Sequence, residues 1–105
     1  MTATEKYLEA GRSLTGALES QMFGKPCFKI NGKAFVCLFD ESMVFKLGGH
    51  AHREALSLEG SRLFDPSGRN RPMKEWVQVP STHQERWAEL AQLAKTYVES
   101  LQPDN

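Results

Sequence analysis

The hydrophobic pattern is most regular in the middle of the chain, over residues 25–47. Two apolar runs there flank Asn31-Gly32. Asn-Gly between such runs is the strongest short-range signal of a β-hairpin, because both central residues of a type I′ turn need positive φ. A third apolar run follows a short polar break and ends at Leu47. The pattern therefore predicts a three-stranded antiparallel meander.

A two-residue turn at Asn31-Gly32 also predicts the register of this hairpin, and it pairs Phe28 with Phe35. One face of the sheet then carries an apolar set: Phe28, Ile30, Phe35, Cys37 and Phe39. The other face carries a mixed set: Cys27, Lys29, Ala34, Val36 and Leu38. Because Cys27 and Cys37 would point to opposite faces, this register predicts that the two cysteines are free.

Helical periodicity marks both ends of the chain. Apolar residues at helical spacing predict an amphipathic helix over residues 4–21, and Thr2 with Glu5 fits a capping box at its start. Thr82 with Glu85 predicts a second capping box, at the start of a C-terminal helix. The apolar stripe of that helix comprises Trp87, Leu90, Ala91, Ala94, Tyr97, Val98 and Leu101.

The segment between the meander and the last helix predicts three further elements. A short helix over about residues 50–58 is followed by a brief edge strand at residues 62–64. The Asp65–Gly68 stretch has the composition of a turn. Residues 73–79 then alternate as a strand does, and Pro80 ends the alternation.

These elements follow the order α-β-β-β-α-β-β-α. The order predicts an α+β fold with two layers, in which an antiparallel sheet of about five strands carries the helices on one face. No internal repeat, linker or low-complexity tract interrupts the chain, so we expect residues 1–105 to form a single domain.

Several segments together resemble the TfoX N-terminal domain family. They are Met22-Phe23-Gly24, the strand–Asn-Gly–strand unit through Phe39-Asp40, the strand at residues 43–47, and MKEWVQVP at residues 73–80 before a final helix. The resemblance covers about residues 7–101, and the architecture is also similar to that of the YjbR group of small bacterial domains.

The resemblance implies a two-layer α+β domain of bacterial origin with no established catalytic residues. The family takes its name from a regulator of competence that carries a second, C-terminal domain. This chain stops at Asn105, so we do not expect a role in competence to transfer to it directly.

Composition narrows the class of partner. Thirteen basic and thirteen acidic residues give a formal net charge of zero, which argues against a protein held to nucleic acid or to an anionic membrane by bulk attraction. The first twenty residues hold no apolar signal segment, and no apolar run is long enough to span a bilayer. With two cysteines read as free, we expect a cytoplasmic protein without a membrane partner.

Candidate chemistry is sparse. His50 and His52, two residues apart, could share a metal with His83 or a carboxylate, but a polar turn ahead of a helix is the better interpretation of this pair. No Ser-His-Asp set, nucleophile elbow or paired carboxylates can be recognised in the pattern. We therefore predict no catalytic residue, no metal and no cofactor, and we do not expect an enzyme.

Two binding hypotheses remain. The leading one is a protein that acts by protein–protein contact or self-association, such as a homodimer, in a regulatory setting. Its candidate partner surface is the mixed face of the hairpin or the edge of the sheet, since an apolar patch on a small domain tends to mark an interface; a helix or the Trp76 side chain could instead cover the mixed face. The surface comprises Cys27, Lys29, Val36 and Leu38.

The alternative hypothesis is a nucleic-acid-associated regulator of transcription or competence. Basic residues cluster around the turn at residues 65–68, with an aromatic residue close enough in sequence to offer a stacking surface. The candidate contacts are Arg62, Arg69, Arg71, Lys74 and Trp76.

Overall fold

A six-stranded antiparallel sheet forms the centre of the computed structural model, which describes residues 2–101. The strands are β1 (Leu18–Met22), β2 (Lys25–Ile30), β3 (Lys33–Phe39), β4 (Ser42–Lys46), β5 (Arg62–Phe64) and β6 (Met73–Pro80). The α-helices are α1 (Ala3–Arg12), α2 (Gly49–Ser57) and α3 (Trp87–Ser100), and a 3₁₀ segment, Ser81–Arg86, precedes α3. The strand order is β1-β2-β3-β4-β6-β5. The predicted α+β fold is confirmed, with one strand more than expected.

The additional strand is β1, which the sequence pattern assigned to the first helix. That helix begins at the Thr2–Glu5 capping box, as predicted, but it ends at Arg12. Leu14, Leu18 and Met22 are spaced like helical residues, yet β1 pairs antiparallel with β2 from Leu18 to Met22. Pairing with β2 satisfies the backbone of this segment, so a tertiary contact overrides the local spacing.

Strands β1 to β4 are joined by three two-residue turns. The predicted Asn31-Gly32 turn has φ values of 52° and 80° at its two central residues. Phe23-Gly24 and Asp40-Glu41 also have positive φ at both positions. Positive φ at both central residues is the mark of the type I′ turn, whose twist matches that of the flanking strands.

A β-bulge changes the register that the hairpin turn predicts. Lys29 pairs with Ala34 as a tight hairpin requires, but the next pair is Phe28 with Val36. Phe35 is therefore the extra residue, and both Phe35 and Val36 are buried on the same side of the sheet. One inserted residue reverses the facing of every position beyond it, because side chains alternate along a strand.

The bulge overturns the predicted separation of the two cysteines. Beyond Phe35, Cys37 pairs directly with Cys27. Both side chains point to the same face, both are free thiols, and both are buried. The prediction that they lie on opposite faces was wrong, because a turn sequence contains no information about a bulge further along the strand.

All buried residues of the helices pack against one face of the sheet. The buried core on this helix-covered side comprises Ala3, Tyr7, Ala10, Phe28, Ile30, Phe35, Val36, Met43, Phe45, Leu47, Ala55, Val77, Val79, Trp87, Leu90, Ala91, Ala94 and Val98. Two glycines allow close packing: a Cβ at Gly11 would overlap the Phe28 ring, and one at Gly48 would overlap the Tyr97 ring. Small residues at these points let the helices lie close to the sheet.

The start of α3 differs from the predicted capping box. Thr82 and Glu85 lie within the 3₁₀ segment, and α3 begins after Arg86, whose side chain makes no capping hydrogen bond. Arg86 instead donates to Glu89 at 2.8 Å and to Glu54 of α2 at 3.1 Å. The segment uses its side chains to join α2 to α3 rather than to cap a helix.

Candidate binding surfaces

The face of the sheet opposite the helices carries an apolar cluster of its own, which we call the helix-free cluster. Its buried members are Cys27, Cys37, Val44, Phe64 and Trp76. Partly buried residues packed against it are Met22, Ala34, Phe39 and Met73. Phe39 and Phe64 meet edge to face, with ring centroids 5.1 Å apart, a favourable geometry for aromatic pairs. The strand side chains of this face therefore bury its centre without a covering helix.

The partner surface predicted from the hairpin does not form one face. Val36 is fully buried in the core under the helices, and Leu38 is partly buried on that same side. Cys27 is buried on the opposite side, in the helix-free cluster. Lys29 is half-buried. The bulge at Phe35 divides the four residues between the two sides of the sheet, so the mixed face expected from the sequence was wrong.

Trp76 does not offer the exposed ring that stacking on a nucleic-acid base requires. Its side chain is 6% exposed and packs in the helix-free cluster. The alternation of β6 predicted on which side of the strand Trp76 would lie, but not that neighbouring side chains would cover it. The basic residues of the predicted contact set differ from Trp76 in being exposed to solvent. They are Arg62, Arg69, Arg71 and Lys74.

Ion pairs divide the basic residues into two groups. Those that form an ion pair within the described residues are Lys6, Arg12, Lys46, Arg86 and Lys95. The other eight of the thirteen Lys and Arg residues lie in this same part of the chain and form none: Lys25, Lys29, Lys33, Arg53, Arg62, Arg69, Arg71 and Lys74. A cation without a carboxylate neighbour keeps its full attraction for an external anion.

Several of these cations border the helix-free cluster. Lys25 and Lys29 flank Cys27 at alternate positions of β2 and so share its side. The Lys25 ammonium lies 5.2 Å from the centroid of the Phe39 ring, within the range of a cation–π contact. Arg62 pairs in register with Gln78 of β6. We call the surface formed by Lys25, Lys29, Arg62 and the β5–β6 loop (residues 65–72) the basic side.

The loop between β5 and β6 is organised by Asp65. Its Oδ1 accepts hydrogen bonds from the Ser67 hydroxyl at 2.6 Å and from the backbone N–H groups of Ser67 and Gly68 at 3.1 Å. Its Oδ2 accepts from the backbone N–H of Arg71 at 3.0 Å. These bonds, that from the Ser67 hydroxyl above all, lower the pKa of Asp65. Both carboxylate oxygens are therefore engaged within the loop, and the loop holds Arg69 and Arg71 outward.

A cleft of about 580 Å³ lies between this loop and the sheet. Its lining includes the Phe39 ring, Arg62, Asn70 and Gln78. Gln78 is only 8% exposed, and its side-chain amide makes no hydrogen bond to another residue of the described range. The cleft has the volume of a small-molecule site, and polar and apolar residues contribute about equally to its lining.

The free edge of β1 exposes two large apolar side chains. Leu18, at the start of the strand, is 71% exposed, and Phe23, in the turn after it, is 63% exposed. Phe23 also has a φ of 52°, a left-handed conformation that costs a bulky residue about 1–2 kcal/mol. The helical spacing of Leu14, Leu18 and Met22 predicts a helix over this segment, so the sequence pattern does not indicate that β1 forms an edge. The alternation of Leu18, Ser20 and Met22 before a Phe-Gly turn was the signal available for it.

Two of the three histidines bond to the backbone, and the third, His50, is exposed at the start of α2. His52 Nε2 donates to the carbonyl oxygen of Lys74 at 2.8 Å, and His83 Nε2 donates to that of Glu59 at 2.8 Å. Within residues 2–101, no three or more His, Cys, Asp or Glu side chains come together in a way that could hold a metal ion. His52 thus joins α2 to β6, and His83 joins the 3₁₀ segment to the loop after α2.

The two thiols of the helix-free cluster differ in their surroundings. Burial raises the pKa of Cys37 to about 12. Burial also raises the pKa of Cys27, but the charge of Lys29 and a hydrogen bond with the Ser20 side chain oppose that rise. Cys27 is therefore the thiol whose surroundings do more to support a thiolate.

Comparison with known proteins returned no relative. No protein-family model matches the chain, and no curated protein or solved structure matches it significantly. The resemblance to the TfoX N-terminal domain family stays a prediction. Of the helices in the described part of the chain, none combines the length and the apolar character needed to cross a bilayer.

Proposed function

We propose that this chain is a binding domain without a catalytic role of its own, and that it acts by self-association through the free edge of β1. The observation that carries the proposal is the exposure of Leu18 and Phe23 at that edge. An edge strand presents unpaired N–H and C=O groups to a partner strand. β1 is five residues long, and it holds neither a proline nor a lysine that would block pairing.

Other features of the edge support this proposal. Proteins usually protect an open edge with charge, a bulge or a covering element. The only charged residue of β1 is Glu19, which Arg12 of α1 neutralises with an N–O distance of 3.0 Å. Antiparallel pairing of two β1 strands would join two sheets around a two-fold axis, the commonest symmetry of protein dimers.

Analytical ultracentrifugation over a range of concentrations tests the proposal. We expect a monomer–dimer equilibrium in the wild type. Leu18→Arg and Phe23→Asn should each shift that equilibrium toward the monomer. Leu93→Arg is the matched control, because Leu93 is 37% exposed on α3, away from the edge. A wild-type chain that stays monomeric at the highest concentration would overturn self-association.

Nucleic-acid binding is a second candidate, favoured by the basic side. Cations without ion-pair partners border the helix-free cluster, and the only carboxylate of the β5–β6 loop, that of Asp65, is occupied within the loop. Arg69 and Arg71 are exposed at its rim, beside a cleft that Phe39 helps to line. Phosphate contacts to such cations would supply affinity without sequence specificity.

Fluorescence anisotropy with a labelled single-stranded oligonucleotide tests this second candidate. Binding should weaken as salt rises, because phosphate contacts release counterions. The double charge reversal Arg69→Glu/Arg71→Glu should weaken binding and flatten the salt dependence. Lys6→Glu/Lys95→Glu changes net charge equally on the helices and should have a smaller effect. Equal losses in the two variants, or no binding at low salt, would refute a dedicated basic surface.

A further inference from the structure

Two cysteines on neighbouring strands face each other directly in the helix-free cluster. Cys27 of β2 and Cys37 of β3 are register partners, and each side chain is 1% exposed. Directly opposed residues of antiparallel strands have Cα atoms about 4.5–5.5 Å apart. Disulfides span Cα separations of about 4.4–6.8 Å. A bond between these sulfurs is therefore compatible with the backbone as it stands.

The bulge at Phe35 is what creates this pair. Without the extra residue, Cys37 would point into the core under the helices, away from Cys27. The chain's only two thiols thus lie on the same face of the sheet, as directly paired residues of neighbouring strands. They lie near an edge of the sheet, since only β1 separates β2 from solvent on that side.

The two thiols are also suited to different steps of an oxidation. Lys29 lies two residues from Cys27 on the same side of β2, and Ser20 pairs with Cys27 from β1. Burial raises the pKa of Cys27, and both groups oppose part of that rise, whereas burial raises the pKa of Cys37 with no such opposing group. Cys37 lies one strand further from the β1 edge of the sheet, with Val44 as its partner on β4. Cys27 is accordingly the thiol that meets an oxidant first, and Cys37 is the one that resolves the product.

We propose that Cys27 and Cys37 form a redox-active dithiol that a hydroperoxide converts to a cross-strand disulfide. The Cys27 thiolate attacks a peroxide oxygen, so that an S–O bond forms and the O–O bond breaks. The leaving hydroxide takes up a proton and departs as water. The Cys37 sulfur then attacks the sulfenic sulfur of Cys27, and the S–S bond forms as the S–O bond breaks. The expelled hydroxide takes the Cys37 proton, so two thiols and one hydrogen peroxide yield one disulfide and two waters.

The reaction is independent of the binding function proposed above, because neither thiol lies on the exposed edge of β1 or in the β5–β6 loop. Its observable product is an intramolecular disulfide. Trypsin separates the two cysteines, since Lys29 and Lys33 lie between them in the chain. A Cys27 peptide linked to a Cys37 peptide is therefore direct evidence of the bond.

The test uses the reduced full-length chain, treated with hydrogen peroxide and quenched with catalase. We expect the thiol count in denaturant to fall from two to zero and the intact mass to fall by two hydrogen atoms. The protein should stay a single chain on a non-reducing gel, and the linked tryptic peptides should disappear on reduction. Oxidation of Met22 or Met73, which pack against the same cluster, adds oxygen to the mass and is distinguished by that gain.

Two single variants establish the order of the steps. Cys37→Ser should leave Cys27 as a sulfenic acid that dimedone traps, because no resolving thiol remains. Cys27→Ser should leave Cys37 reduced under the same treatment. The wild-type measurement needs no variant to fold, so it decides the proposal alone. Retention of both thiols, or oxidation to sulfinic acid or to disulfide-linked dimers without the internal bond, would overturn it.

Discussion

The two faces of the sheet are built in different ways. The helix-covered face buries eighteen residues drawn from the sheet and all three α-helices. The helix-free face buries five, all of them on strands, and surrounds them with basic side chains. Most of the apolar burial that stabilises the fold therefore lies on one side. The thiol pair, the cleft and several cations without ion pairs, among them Lys25, Lys29 and Arg62, lie on or around the other.

The largest difference between the faces should appear when one buried phenylalanine is removed from each. Phe45→Ala, on the helix-covered side, should cost about 3–5 kcal/mol of unfolding free energy, because rigid helices cannot close over the cavity. Phe64→Ala should cost less, since its neighbours on the other face can relax toward solvent. Both side chains are buried in the wild type. Urea denaturation measures the two costs, and equal costs would show that the faces are equally well packed.

The next largest expected loss of stability comes from adding a side chain where α1 packs closely on the sheet. A Cβ at Gly11 would overlap the Phe28 ring, so Gly11→Ala should destabilise the fold by about 1–3 kcal/mol despite the better helix propensity of alanine. Glu9→Ala, at an exposed position of the same helix, should change stability little. Thermal unfolding of the two variants provides the measurement. A stabilising Gly11→Ala would show that α1 can move away from the sheet without cost.

A smaller effect of opposite sign is expected at the hairpin turns. Phe23 and Glu41 both occupy left-handed positions, with φ of 52° and 61°. Phe23→Asn and Glu41→Gly should each stabilise the monomer by about 0.5–1 kcal/mol, because both replacements tolerate this conformation better. Only Phe23→Asn should also reduce self-association. Denaturation at low concentration, paired with ultracentrifugation, separates the two effects, and a loss of association in both variants would argue against a specific role of the β1 edge.

The smallest predicted effect is local and depends on pH. Hydrogen bonds lower the pKa of Asp65 in the folded chain, so its stabilisation of the β5–β6 loop is present above the unfolded pKa of about 3.9. It is lost as pH falls through the lower folded value. Protection of the Gly68 and Arg71 amides against hydrogen exchange, relative to their intrinsic exchange rates, should fall across that acidic range, and Asp65→Asn should lower it at neutral pH. Unchanged protection in the variant would show that the carboxylate does not organise the loop.

Much of the fold could be predicted from local pattern. The Asn31-Gly32 turn, the Thr2–Glu5 box and the alternation of β6 each depend on residues close together in sequence, and each is present. Strand β1 was not predicted, because its residues fit both a helical spacing and a strand alternation. Only the pairing with β2 selects the strand. Helix α3 was recognised, but it begins after Arg86, because residues 81–86 form a 3₁₀ segment instead of the predicted capping box.

Less of the candidate sites could be predicted. The basic residues near the β5–β6 loop were recognised from their clustering in sequence, and they are exposed. The burial of Trp76, the cleft beside Gln78 and the exposed edge at Phe23 depend on strands that are distant in the chain. Sequence pattern indicates which residue types are present, but the order β4-β6-β5 decides which of them meet.

The hairpin at Asn31-Gly32 separates what the sequence determines from what the tertiary structure decides. The sequence alone determines that a tight turn joins β2 to β3, because positive φ at both central residues is a local requirement that Asn and Gly meet. The tertiary structure decides the bulge at Phe35, since the core under the helices accepts two successive side chains, Phe35 and Val36, from one strand. That single extra residue turns Cys37 to face Cys27, and a pairing across strands cannot be deduced from either strand alone.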